Sequence, residues 1–312
     1  MNKLEYQEIL AFHPGYYIKD YMDDYQLSQE ELAKRLQTTP KYISDLVNGR
    51  INLTDEMVFR LSNLFGTSTK LWLNLNQKFI EKKLEIQRRK SLEKESKFLK
   101  MLDYSYWCDL GVVELTNDDE LKIKELQRFF KLSSLSVLEQ DDFLVQYKWN
   151  KCNETIENRV NANAWVQTAI NLGVDNECQV FDRKKLLNSI EKILSLTSED
   201  LQYVSSDLHD ILSECGVSLV LLPELKNSNV KGAIKWLNKE KVVLALVNNL
   251  KDKRTFWYSF FHELGHVMQK RIKLLLVSNN VLEFDDSFII KLEQDADDFA
   301  EKMMALVKWC NE

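Results

Sequence analysis

The sequence predicts a mainly α-helical protein with a small sheet, an α+β fold, divided into two domains. Its 312 residues suffice for about two domains of roughly 150 residues each. Only 8 glycines and 3 prolines punctuate the chain, and so few turn-forming residues oppose an all-β sandwich or barrel. Hydrophobic residues make up 45% and charged residues 29%, as in ordinary globular proteins. We expect a helical bundle at 1–85, a helical linker at 86–110 and a larger domain at 111–312, of which 111–212 is helical and 213–312 carries the sheet.

Hydropathy and cysteine usage predict a cytoplasmic protein without a membrane partner. No apolar run approaches the about 18 residues that a membrane-spanning helix needs, and the first residues lack the apolar core of a secretory signal. The cysteines are odd in number, scattered and never arranged as Cys-x-x-Cys, a pattern typical of reduced thiols. They are Cys108, Cys152, Cys178, Cys215 and Cys310.

Charge is distributed unevenly along the chain. Residues 1–100 hold 17 Lys and Arg against 14 Asp and Glu, whereas 101–312 hold 25 against 34. A basic front half suits a nucleic-acid partner, and the acidic back half does not. Much of the excess lies within 87–100, so a solvated basic linker explains it equally well.

Helix-capping signals divide the front segment into short helices. Ser28 with Glu31 three residues later forms a capping box, and Thr39 followed by Pro40 marks a second helix start. The second helix is expected to end at Gly49, where glycine can take the left-handed conformation. A further helix should begin at 54–56 and stop near residue 66, and Trp72 is expected in the core. Two short helices joined by a turn are the geometry of a helix-turn-helix, although a small bundle of incidental similarity gives the same pattern.

The second of these helices has one apolar face. Ile43, Leu46 and Val47 follow the spacing of a buried stripe, so the polar residues beside them should point outward. In a helix-turn-helix the N-terminal half of the second helix enters the major groove. There lysine and serine reach base edges, and arginine reaches a phosphate. The candidate DNA contacts are Thr39, Lys41, Tyr42, Ser44 and Arg50; Asp45 suits DNA only as an acceptor from a cytosine amino group.

The front segment resembles the HigA-type branch of the Xre helix-turn-helix family. The resemblance rests on the His-Pro-Gly entry at 13–15, the run LSQEELA at 27–33, ISDLVNG at 43–49 and FGTSTKLWLNL at 65–75. It implies a transcriptional repressor that binds a palindromic double-stranded operator as a homodimer, and in some members an antitoxin with a toxin partner.

The back segment combines three strand-like runs with a helix that carries two histidines. The runs cover 217–222, 233–237 and 242–247, and helices such as 118–130 and 160–172 precede them. His262 and His266 are four residues apart, so one helix face presents both imidazoles to a single ion. Glu263 adjoins them and can act as general base on a water, which is the zincin signature His-Glu-x-x-His. Zn²⁺ is therefore the expected cofactor, and the alternative is a chance pentapeptide with histidines bonded in a core.

Two further features of this segment predict contacts with residues that are distant in the sequence. Gly265 lies in the middle of the helix, where glycine costs about 1 kcal/mol, and the close approach of another backbone would explain it. The third metal ligand should be an acid, because no histidine follows His266. Glu293 and Asp295 flank the apolar stripe of the last helix on opposite edges, so periodicity does not choose between them.

The back segment resembles the ImmA/IrrE family of zinc metallopeptidases. The resemblance rests on the strands from Cys215, the helix FWYSFFHELGH at 256–266 and the pattern acid-x-acid-Ala-x-x-Phe-Ala at 293–300. It implies a zincin-like metallopeptidase domain with Asp295 as the third ligand, where the family usually has Glu. It also implies a protein substrate such as a repressor. Alternatively, the chain is a non-enzymatic antitoxin and autorepressor that sequesters a toxin, with the peptidase fold as sensor or scaffold.

Overall fold

The computed structural model describes residues 3–140, 155–248, 252–269 and 286–307. The chain divides into two compact units, Met1–Lys94 and Glu95–Glu312. The division therefore falls within the segment 86–110, which the sequence predicts to be a linker.

The N-terminal unit begins with a β-hairpin that the sequence analysis did not predict. Strands β1 (Lys3–Tyr6) and β2 (Ile9–Phe12) pair antiparallel. The helices that follow are α1 (Pro14–Asp24), α2 (Gln29–Arg35), α3 (Pro40–Val47), α4 (Asp55–Phe65) and the long α5 (Thr69–Leu99). The hairpin packs through Ile9 and Ala11 against Phe79 and Ile86 in the middle of α5, and so buries these two side chains of the helix.

The helix caps that the sequence predicts are present in the N-terminal unit. Ser28 accepts from the backbone N–H of Glu31, whose carboxylate accepts from the N–H of Ser28, so the capping box is complete. Thr39 accepts from the N–H of Tyr42 at 3.2 Å and starts α3. Gly66 ends α4 with a φ of 64°, in the left-handed region.

The two central helices pack on one apolar core. Ile43 and Leu46 are fully buried together with Leu32 of α2, and Trp72 is buried as predicted. Gly15 allows α1 to approach α3, because a Cβ at residue 15 would lie 2.0 Å from the carbonyl oxygen of Leu46. The positions of α2 and α3 therefore define a helix-turn-helix.

The C-terminal unit is mostly helical around one small sheet. Its helices are α6 (Tyr104–Asp109), α7 (Asp119–Phe130), α8 (Ile156–Asp175), α9 (Arg183–Asn188), α10 (Ile190–Leu196), α11 (Leu201–Ser213), α12 (Lys253–Gln269) and α13 (Asp286–Leu306). The strands are β3 (Val217–Leu222), β4 (Gly232–Trp236) and β5 (Val242–Val247). The three predicted strands are thus confirmed, β3 and β5 with the predicted ends, and the α+β fold class is confirmed with them.

The sheet has the order β3-β5-β4, with β3 parallel and β4 antiparallel to the central strand. One face contacts α8, where Gly173 lies against the side chains of Val220 and Val243. The other face joins the core that contains Leu244, Trp257 and other residues of α12. All six residues of β5 are buried, which is why the strand reads as a continuous apolar run.

Helix α12 crosses α13 at close range. A Cβ on Gly265 would lie 3.1 Å from the Cα of Ala296, tighter than an ordinary van der Waals contact. The predicted reason for a mid-helix glycine, the close approach of another backbone, is confirmed. This contact fixes how α13 meets the histidine helix.

Candidate metal centre and helix-turn-helix surface

The histidine pair of α12 and one acid of α13 form the only group of potential metal ligands found among the described residues. The Nε2 atoms of His262 and His266 are 3.1 Å apart. Glu293 places Oε2 3.5 Å from the first of these atoms and Oε1 3.3 Å from the second. The donor atoms of the three residues all lie within 4.8 Å of one another.

The opposite nitrogen of each imidazole contacts a side-chain oxygen. Nδ1 of His262 lies 2.8 Å from Oδ1 of Asp297, and Nδ1 of His266 lies 3.2 Å from Oε1 of Gln269. Gln269 in turn donates to the carbonyl oxygen of Leu292 at 2.7 Å. Because each acceptor favours a proton on Nδ1, both Nε2 lone pairs converge with the carboxylate of Glu293.

The separations between the three donor atoms fit a tetrahedrally coordinated cation. Ligands at about 2.0–2.1 Å from a tetrahedral zinc ion lie roughly 3.3–3.4 Å from each other, and the three measured separations are 3.1, 3.3 and 3.5 Å. Oε2 of Glu293 is buried without a hydrogen-bond partner among the described residues. Two lone pairs and an unpartnered buried carboxylate oxygen facing one point are costly unless a cation lies between them.

Electrostatics couples the acid to the histidines. Burial alone would raise the pKa of Glu293, but contacts with both imidazoles hold it well below its ordinary range. Burial alone would lower the pKa of His266, but the hydrogen bond that the protonated imidazole donates to Glu293 and the charge of Glu263 raise it above its ordinary value. Glu293 is therefore an ionised carboxylate near neutral pH.

Asp295 does not join this group, and the structure corrects its predicted role as third ligand. It is exposed, whereas Glu293 and Asp297 are half-buried on the side of α13 that meets α12. Successive helix residues are rotated by about 100°, so Asp295 points about 200° away from Glu293. Contact with His262 and His266 places Glu293 in the candidate ligand set in its stead.

Glu263 lies beside the histidines at a small pocket. The side chain is 7% exposed, and a Cβ on Gly232 would lie 2.7 Å from its Cγ, so the glycine of β4 makes room for the acid. The pocket has a volume of about 190 Å³. Its lining residues are Asn229, Lys231, Gly232, Tyr258, Ser259, His262 and Glu263. Glu263 thus borders both the candidate ligand set and a space that a substrate group can enter.

The sequence reasoning missed Asp297, Gln269 and Gly232 at this site. Asp297 follows Glu293 by four residues, so helical periodicity already places the two acids on one face. Gln269 follows His266 by three residues and carries a similar local signal. Nothing in the sequence connects Gly232 to Glu263, because that contact exists only once β4 and α12 are packed.

The residues predicted to contact DNA differ in how far their side chains are exposed. Lys41 and Arg50 are exposed, Ser44 is half-buried, and Thr39 is exposed with its hydroxyl capping the helix. Tyr42 differs from the prediction, because its ring packs on the bundle core and its hydroxyl is buried. A buried hydroxyl is not available to a phosphate, so only the half-buried ring of Tyr42 could contact DNA.

Asp45 contacts Arg50 rather than standing alone. The Nη1 of Arg50 donates to Oδ1 of Asp45 at 3.1 Å. Arg50 therefore neutralises the charge of Asp45 on the surface that would meet DNA. This ion pair explains an acid at that position without the predicted hydrogen bond from a cytosine amino group.

The fold and the capped helix pair define a helix-turn-helix protein, and sequence comparison supports this class. Residues 18–72 match the family model described as Helix-turn-helix. The HTH-type transcriptional regulator YddM of Escherichia coli strain K12 is 32% identical over 83 residues, which cover 25% of this chain and 88% of that protein. The chain therefore belongs to the helix-turn-helix family of transcriptional regulators.

Two further similarities cover parts of this chain. YbaQ, an HTH-type transcriptional regulator of the same strain, is 39% identical over 56 residues, 18% of this chain and half of that protein. The structure of an addiction module antidote protein of a HigA family from Coxiella burnetii is 29% identical, with a TM-score of 0.25, and the match covers 27% of this chain and 92% of that one. Among the described residues, no helix combines the length and apolar character needed to cross a bilayer.

Proposed function

We propose that this helix-turn-helix regulator carries a zinc-dependent peptidase centre in its C-terminal unit, with His262, His266 and Glu293 as zinc ligands and Glu263 as general base. The observation that carries the proposal is the spacing of the three donor atoms, 3.1 to 3.5 Å, which matches the edges of a tetrahedral zinc site. The orphaned Oε2 of Glu293 supports the same assignment.

The chemistry divides between the ion and the chain. His262, His266 and Glu293 would hold the zinc ion, which would serve as a Lewis acid toward a peptide carbonyl and lower the pKa of a nearby water. Glu263 accepts the proton of the attacking water at a carboxylate oxygen as the new C–O bond forms. It then delivers that proton to the nitrogen of the breaking C–N bond, so that the amine leaves neutral. Burial of Glu263 beside the pocket keeps this carboxylate next to the reacting group.

For the N-terminal unit, we propose binding of a palindromic operator by a homodimer. The exposure of Lys41 and the partial exposure of Ser44 on α3 support contacts with the major groove, and Thr39 lies at the start of the same helix. The exposure of Arg50 just after α3 supports a contact with a phosphate. The peptidase substrate that we propose is a repressor or another protein partner of this regulator, in the cytoplasm.

The test compares two acids that are two residues apart on α13. Purified full-length protein is loaded with zinc, dialysed and assayed for bound metal, alongside Glu293→Gln and the matched control Asp295→Asn. We expect one zinc per wild-type chain, retention in the Asp295 variant and loss in the Glu293 variant. Equal retention in both variants would remove Glu293 from the ligand set, and a zinc-free wild type would remove the metal centre.

The second candidate is an antitoxin and autorepressor without hydrolytic activity, which the HigA-like sequence at 13–75 favours. Glu263→Gln separates the two functions, because it should keep the metal and abolish proteolysis. If this variant represses its own promoter and neutralises a co-expressed toxin as well as the wild type does, the peptidase proposal loses to the antitoxin.

A further inference from the structure

The hydrogen bonds behind His262 involve a third side chain. Tyr258 lies one helical turn before His262 on α12, and its hydroxyl donates to Oδ1 of Asp297 at 3.0 Å. The same oxygen lies 2.8 Å from Nδ1 of His262. One carboxylate oxygen therefore holds both side chains.

We infer that Tyr258 is a positioning residue that orients His262 through Asp297. The inference rests on the proposed function for its consequence at the metal, and it deepens that proposal by naming what fixes the imidazole. The ring of Tyr258 also stacks on the imidazole of His262, with the centroids 6.5 Å apart. Tyr258→Phe keeps that ring, so this variant isolates the contribution of the hydroxyl.

The hydroxyl of Tyr258 can restrain Asp297, because the side chain of Asp297 is partly exposed. The side chain of Asp297 is 33% exposed, and a carboxylate at such a position can rotate toward water. A second donor on the same oxygen opposes that rotation and keeps the acceptor in line with the imidazole. Burial and the neighbouring Asp297 raise the pKa of Tyr258 to about 12, so the hydroxyl keeps its proton and remains a donor at neutral pH.

The two histidines are thus held by different means. His266 contacts the neutral amide of Gln269, which is anchored on a backbone carbonyl of α13. His262 contacts a carboxylate oxygen to which the hydroxyl of Tyr258 also donates. Because Tyr258 also lines the pocket, its ring links the space beside Glu263 to the orientation of one ligand.

The first experiment measures zinc affinity of the full chain by competition with a chromogenic chelator. Loss of an outer-shell partner costs about 10–100-fold in metal affinity, so we expect Asp297→Ala to weaken binding within that range and Tyr258→Phe to weaken it several-fold. The double variant should match Asp297→Ala alone, because the hydroxyl that Tyr258→Phe removes donates to Asp297 and the stacked ring is kept. Tyr203→Phe, which changes a 75% exposed tyrosine of the same unit, is the control and should bind as the wild type does.

A second measurement needs no metal. Long-range ¹H–¹⁵N spectra of the metal-free protein at alkaline pH report the tautomer of each imidazole, and the chain has only four histidines to assign. We expect His262 to carry its proton on Nδ1 in the wild type and to shift toward the Nε2 tautomer in Tyr258→Phe.

The outcomes separate the two proposals. A wild type that binds no zinc defeats the proposed function, and the tautomer measurement then still decides the role of Tyr258. Unchanged affinity and tautomer in Tyr258→Phe would overturn the inference, as would independent losses in the double variant.

Discussion

Replacing Gly265 with leucine tests whether the crossing of α12 and α13 determines both stability and metal binding. A Cβ at this position would lie 3.1 Å from the Cα and 3.4 Å from the Cβ and carbonyl oxygen of Ala296. All three neighbours belong to the backbone or to its first side-chain atom, so none can rotate away. The rest of a leucine side chain has no space at this crossing without separating the helices.

The magnitude follows from two opposing effects. Overpacking of a tight core costs up to about 3 kcal/mol, while removing a mid-helix glycine returns about 0.8–1 kcal/mol. We therefore expect Gly265→Leu to lower the free energy of unfolding by about 2 kcal/mol. For a unit of roughly 200 residues this is a fall in Tm of about 4–8 °C. Gly265→Ala should be close to neutral, because a shift of a few tenths of an ångström accommodates one methyl group.

Thermal unfolding followed by circular dichroism measures the first effect, and chelator competition measures the second. Zinc affinity should fall in Gly265→Leu, because His262 and His266 lie on α12 whereas Glu293 lies on α13. Lys302→Leu adds the same side chain at an exposed position of α13 and should change little. If Gly265→Leu melts with the wild type, the close crossing does not exist in solution.

Three further predictions address other parts of the chain. Thr168→Val removes the acceptor of the buried Trp107 indole, 2.9 Å away, and should cost about 1–3 kcal/mol in denaturant unfolding, more than Thr168→Ser; equal costs would mean that the hydrogen bond is unimportant. Burial lowers the pKa of His13, and protonation would remove the acceptor of the Gly15 N–H, so the folded state binds fewer protons than the unfolded state near pH 6. Stability should therefore rise as pH increases toward 7, and His13→Asn should flatten that slope in urea titrations; a slope shared by both proteins would exclude His13 as the cause. Lys41→Ala should weaken binding of duplex DNA and make the plot of log K against log salt less steep by about one, which fluorescence anisotropy measures; unchanged binding would remove Lys41 from the surface that contacts DNA.

The sequence predicted the elements whose causes are local. Ser28, Thr39 and Gly66 each satisfy backbone groups within a few residues, so cap positions and helix ends follow from short patterns. The buried strands β3 and β5 were recognisable from continuous apolar runs of the right length. The β-hairpin was missed because both strands have only four residues, β1 carries charged side chains, and the turn between the strands contains no glycine.

The errors arise where packing, not periodicity, determines orientation. Tyr42 lies on the border of the apolar face of α3, and the bundle core draws its ring inward. Glu293 and Asp295 lie on opposite edges of the stripe of α13, and only the contact of Ala296 with Gly265 decides which edge meets the histidines. A rotation of α13 by about two residues would exchange the two acids, so no property of the isolated helix distinguishes them.

The same contact explains why the candidate metal site can depend on so few residues. Two helices supply all three candidate ligands, and the separation of those helices depends on one glycine facing one alanine. A side chain at residue 265 would increase the distance between Glu293 and the imidazoles, while a glycine costs the helix only about 1 kcal/mol. Around this contact, Asp297 and Gln269 each join an imidazole of α12 to α13 or its backbone, so the bonds that orient the histidines also hold the helices together. Helix packing and ligand geometry are therefore one structural feature, and a change that loosens either should loosen both.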